Sequence, residues 1–250
     1  MTDPDRGKDT VKSGSIGKTP PRKRFYEQAK VAPHEPGFAV ALDGRVAKTP
    51  AGKPLAVRSE ALAAALADEW SAQGERLDPA AMPLTRLVNT ALDGVADKMA
   101  DVRADIVRYA ASDLICYRAE DPEGLVALQD AHWSPLISHI HDRLGADFAV
   151  AKGIMYVEQN SDTLAALDAA LEGYDALGLA AIHIVTTLTG SAVIALVLAQ
   201  GGITPEAAWT AAHVDEDWQM SQWGRDDIAV ERRTRRWAEM EAAGLVLSCT

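Results

Sequence analysis

The sequence predicts an α+β protein: a small antiparallel β-rich N-terminal domain followed by a larger, mainly α-helical C-terminal domain. Three observations carry this. Residues 25–57 read as short apolar strands separated by turn residues, Ser59 opens the first of a series of segments with helical periodicity, and helical patterns dominate from Ser161 onward. At 250 residues with 48% hydrophobic content, the chain can bury an ample core.

In the β region, KVAPH and GFAVAL are followed by Asp43-Gly44, then by RVAKT, a turn over Pro50 to Pro54, and LAV. Asp-Gly between alternating segments is a strong hairpin signal, because both residues tolerate positive φ. Two or three strands alone are marginal, so the sheet must lean on the helix that follows. Ser59 caps that helix, which runs to Gln73 and Gly74 with Leu62, Leu66 and Trp70 on its inner face. Further helices are expected from about Leu84 and over DKMADVRADIVRYAAS, which sets Val102, Ile106 and Tyr109 together. LICYR is a short apolar run of either type. A helix opening near Pro122 is kinked or divided at Pro135, FAVAKGIMYVEQ is a strand or an irregular link, and Ser161 caps the next helix.

Leu179 to Gln200 is uncharged for 22 residues, long enough to raise a membrane span. Its His183, its threonines and Gly190-Ser191, without flanking basic residues, favour a central buried helix. Thr204 to Gly224 is expected as one helix, capped by Thr204, with Pro205 at its first position and Gly224 at its end. A helical wheel puts Trp209, His213, Glu216, Met220 and Trp223 on one stripe and Ala207, Ala211, Val214 and Trp218 on another. The closing helix, RDDIAVERRTRRWAEMEAAG, carries an i,i+4 pair of Glu231 with Arg235 and a solvated face at Arg232 and Arg233.

The chain therefore divides into a disordered basic tail over residues 1–24, a β-containing N-terminal domain with its following helices over 25–115, and a helical C-terminal domain over 116–250. The boundary between the last two falls between residues 58 and 120. A formal charge of -11 excludes a phosphate backbone or an anionic leaflet as a partner. Cys116 and Cys249 belong to no paired motif and fit a reducing compartment. The tail lacks an apolar secretory core, and its aspartates argue against a mitochondrial leader. The alanine-rich, lysine-poor body suits a GC-rich bacterium, hence its cytoplasm, with the mitochondrial matrix the expectation for a eukaryotic source.

Chemistry is hard to find. There is no Gly-x-Ser-x-Gly elbow and no phosphate-cradling glycine loop, and no cofactor is expected. Asp215, Glu216 and Asp217 suggest a carboxylate acid/base site, but consecutive helical residues diverge by about 100° and cannot meet at one atom. The enzyme alternative is a metal site of His213 and Glu216 with His132, His139 and His141 from another helix. Recognition is the stronger reading: acids among Trp218, Met220 and Trp223 join apolar anchors to a charge that selects a basic partner.

Several long motifs then occur in a familiar order and spacing: LDGRVAKTPAGKPL, ADEWSAQG, MPLTRLVNTALD, SDLICYRAEDPEGL, HIVTTLTGSAVIALVLAQG and AAHVDEDWQMSQWGRDD. Over about residues 24 to 244 the chain resembles the ATP synthase assembly chaperones that bind the free alpha subunit of the catalytic sector. The resemblance implies a non-enzymatic protein that holds unassembled alpha, shields its beta-facing surface and releases it into the hexamer. It places the important acid within Val214-Asp215-Glu216-Asp217-Trp218-Gln219, first Glu216, then Asp215 and Asp217. The chain departs from the family pattern at Ser134 and His139, where Asp and Trp are common.

Overall fold

The structure, a computed structural model, describes residues 22–153, 155–224 and 227–250. The expected tail thus lies outside the described residues except for Arg22 to Arg24. These three are paired: the Arg22 carbonyl accepts from Leu77 N–H, Arg24 N–H donates to Glu75, and Lys23 bridges Arg76.

Strand β1 (Ala29–His34) pairs antiparallel with β2 (Gly37–Leu42), from Ala29 opposite Leu42 to His34 opposite Gly37. Asp43 and Gly44 both take positive φ, 48° and 78°, the twist that returns a right-handed hairpin. The Asp43 carboxylate accepts the backbone N–H groups of Glu27 and Gln28, tying the turn to the chain entering β1. Beyond the turn come β3 (Arg45–Val46) and β4 (Ala56–Val57), both on the side of β2 away from β1. Two residues each is shorter than the sequence suggests, because Thr49 N–H turns back to Lys53 instead of continuing the ladder.

Helix α1 (Glu60–Ser71) begins where Ser59 Oγ accepts from Leu62 N–H and buries Leu62, Ala63, Leu66 and Ala67. It lies on β1 and β2, and Tyr26 Oη donates to the Trp70 carbonyl at 2.6 Å. Helix α2 (Pro83–Thr90) has no cap of its own; both Glu69 carboxylate oxygens, from α1, accept the N–H groups of Leu84 and Thr85 at 2.9 and 2.7 Å. A wide π turn over Ala91–Val95 leads to α3 (Met99–Ala110). LICYR becomes a 3-10 turn over Leu114–Cys116 and β5 (Tyr117–Arg118).

Helix α4 (Glu123–Leu144) runs unbroken through Pro135, correcting the expected division. Ala131 and Pro135 are exposed, so the carbonyl that loses its bond faces solvent. Among the described residues of FAVAKGIMYVEQ the one strand is β6 (Ala151–Lys152), parallel to β5. Helix α5 (Ser161–Leu171) is capped by Asn160 rather than Ser161, since the Asn160 side chain reaches Asp162 N–H.

The expected central helix over Leu179 to Gln200 is two: α6 (Ala176–Thr189) and α7 (Ala192–Ala199). Gly190 adopts the left-handed conformation at φ 71° and Ser191 Oγ caps α7 through Ile194 N–H. Asp113 pins the break, accepting Val193 N–H at 3.0 Å and Ile115 N–H at 3.2 Å. All residues of α7 from Ala192 to Leu198 are buried, and α3, α4, α6, α8 and α10 surround it. No helix of the described residues is long and apolar enough to cross a membrane.

The expected Thr204 to Gly224 helix also divides, into α8 (Pro205–Ala212) and α9 (Val214–Trp223). The last helix, α10 (Asp227–Cys249), continues past Gly244, which is buried because its missing side chain lets Pro205 approach. One hydrophobic core runs from Tyr26 and the sheet through α1 to α6, α7 and Val246.

Candidate partner-binding site

The break at His213 decides how the acids are displayed. His213 leaves helical geometry at φ -116° and ψ 18°, and its buried ring donates through Nδ1 to the Trp209 carbonyl at 2.7 Å. Burial lowers the His213 pKa, so the ring favours the neutral form. Asp215, Glu216 and Asp217 therefore occupy the first turn of a new helix, where the dipole stabilises negative charge, rather than the middle of a long one.

The three acids have three neighbours. Asp215 accepts from Gln129 Nε2 of α4 at 2.7 Å, and the same buried amide accepts Ala119 N–H through Oε1. Asp217 takes a two-pronged pair from Arg233 of α10, the Nη2 to Oδ2 arm at 3.1 Å. That hydrogen bond raises the Arg233 pKa and corrects the expected solvated face at that position; Arg232 is exposed, and Glu231 pairs with Arg235 at 3.1 Å. Glu216 lies 3.9 Å from His213 Nε2 and stands 59% exposed at its side chain.

The tryptophans also separate. Trp209 is buried and meets His213 and Trp237, ring centroids 4.1 and 5.5 Å away. Trp218 lies half-buried against α4, where a Cβ at Gly124 would stand 2.5 Å from the indole. Trp223 is 79% exposed. Between α9 and α10 an open groove of about 590 Å³ is lined by Trp209, Met220, Val230 and Trp237, with the Asp217–Arg233 pair along it. The structure thus brings Asp217 and Met220 to one groove, leaves Glu216 and Trp223 exposed on the same helix, and turns Asp215 and Trp218 toward α4. Sequence reasoning missed Arg233, Gln129 and Gly124; the smallness of Gly124, at the start of a helix, was the one available signal.

The competing metal constellation does not assemble: among the described residues no three His, Cys, Asp or Glu side chains group to hold an ion. His139 is engaged by Gln200 at 3.1 Å, His141 by Asp147 at 2.6 Å, and His213 by Trp209. Ser134 and His139 do not disturb the tie between α4 and α8, made by Trp133 Nε1 to the Ala211 carbonyl at 2.6 Å.

Residues 23–141 match the family model described as ATP12 chaperone protein. A solved chaperone-type protein of Agrobacterium tumefaciens is 48% identical, with a TM-score of 0.86 over 91% of this chain and 85% of that one. The curated mitochondrial protein atp12 of Schizosaccharomyces pombe is 24% identical over 96% of this chain and 86% of its own. The solved ATP12 protein of Paracoccus denitrificans is 37% identical, with a TM-score of 0.84 over 92% of this chain and 98% of its own. The chain thus belongs to the ATP12 family, chaperones of ATP synthase assembly.

Proposed function

We propose that this chain binds the unassembled alpha subunit of the F-type ATP synthase catalytic sector, shields its beta-facing surface and passes it to the alpha/beta hexamer. The observation that carries the reading is α9 itself, which exposes Glu216 and Trp223 and contributes Asp217 and Met220 to a groove also lined by Trp209 and Trp237. An apolar anchor beside an exposed acid suits a protein surface with one basic residue among apolar ones. Asp217 lines the groove in its pair with Arg233 of α10, while Asp215 and Trp218 brace α9 against α4. The role is stoichiometric and needs neither turnover nor cofactor. It places the chain in a bacterial cytoplasm, or in the mitochondrial matrix if the source is eukaryotic.

Co-expression of the full chain with an isolated alpha subunit, followed by size exclusion, tests this. The two are expected to co-elute at one to one, and separate elution at every concentration tried would sink the proposal. Glu216→Lys is expected to abolish co-elution while circular dichroism stays unchanged, because the side chain it replaces is exposed.

A further inference from the structure

A second surface lies far from α9 in sequence and carries the opposite charge. Beside the free edge of the sheet, β3 and the chain entering β1 enclose a basin of about 860 Å³. Arg22, Arg45 and Lys48 stand at it, and none makes an ion pair among the described residues. Nearby carboxylates are already engaged inside the chain: Asp43 by the Glu27 and Gln28 amides, Asp93 by Thr49 Oγ1 and Ala51 N–H. In a chain of net charge -11, three cations at one basin make a local excess of positive charge.

The walls are aromatic and incompletely satisfied. Phe25 is 55% exposed, with the Arg22 guanidinium 4.7 Å above its ring, the Tyr26 ring 5.4 Å from it and Trp70 beyond. Trp70 Nε1 and Asn89 Oδ1 are buried in the lining with no hydrogen-bond partner. An unmet donor and an unmet acceptor in one lining are groups that a polypeptide backbone can satisfy, since each peptide unit carries both. A phosphate at neutral pH is mainly an acceptor and does not present the alternating donors and acceptors of a peptide chain. It would also want converging backbone N–H groups, and those of Glu27, Gln28 and Ala51 are taken.

Spacing points the same way. Arg45 and Lys48 are three residues apart on one extended segment, about 10 Å along the backbone, and Arg22 comes from a second. Such spread fits several carboxylates along an extended chain better than one compact anion. The basin is recessed, so the flat headgroup plane of a membrane does not reach its aromatic floor. We infer that this basin is a second docking site, separate from the α9 groove, for an extended acidic segment of a protein partner that carries an aromatic or large apolar residue. The inference stands whichever protein α9 engages.

The test uses the full chain and a short fluorescein-labelled peptide of Asp and Glu around one Phe, read by fluorescence anisotropy. Binding is expected, weakening as salt rises and falling by about tenfold or more in Arg45→Glu/Lys48→Glu. Both side chains are exposed, so the fold is retained, which a thermal melt checks. Phe25→Ala is expected to reduce binding with the charges intact, and Trp223→Ala to leave it unchanged. Equal binding of a peptide with Lys in place of its acids, or unaltered binding by the double variant, would overturn the inference. So would loss of binding in Trp223→Ala, which would put the peptide in the α9 groove. Full displacement by inorganic phosphate or ATP would make the basin a phosphate site, and binding only to phosphatidylserine vesicles would make it a membrane contact. Because no alpha subunit enters the experiment, its outcome is independent of the co-expression test.

Discussion

At the scale of single residues, Asp113 carries the most consequence. It is fully buried, and that burial pushes its carboxyl up to about 6, against the hydrogen bonds from Ser191 and the Val193, Ile115 and Ala192 backbone that pull it down. The folded state thus holds the proton more tightly than the unfolded chain, where a carboxyl titrates near 3.9. Its stabilising contribution is complete below the unfolded value and is lost as pH rises through about 6. Over that window the loss is roughly 3 kcal/mol. Asp113→Asn, which cannot ionise, is expected to flatten this part of the pH dependence, measured as urea midpoints from pH 4 to 7. A native-like slope in the variant would show that another group supplies it.

At the scale of elements, the packing that matters is often made by a residue from another segment. Glu69 is the case in point: α2 starts with Met82-Pro83 and no capping side chain, and the α1 carboxylate supplies both missing acceptors. Glu69→Ala is expected to cost about 1–2 kcal/mol, read as a lowered thermal midpoint with the helix count unchanged by circular dichroism. The same distinction governs what could be read from sequence. Ser59, Thr204 and the Asp43-Gly44 turn announce themselves because their partners lie within four residues. The breaks at Gly190 and His213 do not. Asp113, some 80 residues away, holds the first, and apolar periodicity runs through both without interruption. In the candidate site the acids and exposed Trp223 were legible, whereas Arg233 and Gln129, which fix Asp217 and Asp215, become visible only when α4 and α10 close around α9.

At the scale of the whole molecule, the division into residues 25–115 and 116–250 is one of sequence order, and we propose that it is not one of folding. The sheet reaches the helical region through a continuous buried cluster, with α1 resting on β1 and β2 on one side and on α2 and α10 on the other. The expected outcome is a single calorimetric transition and no folded species from residues 116–250 expressed alone; two resolved transitions would count against it. The break at His213 also sets the range over which the two candidate surfaces act. At the start of α9 the amide ends supply about half a positive charge, Arg233 cancels Asp217, and the Gln129 amide holds Asp215. Arg233 thus offsets one of the three carboxylates, and the charge left at the surface is concentrated on exposed Glu216, which on the proposed reading meets its partner at short range. The unpaired cations beside β3 keep their field and act before contact, within a Debye length of about 8 Å. If both proposals hold, the basin orients a partner on approach and the α9 face tests it once it has arrived.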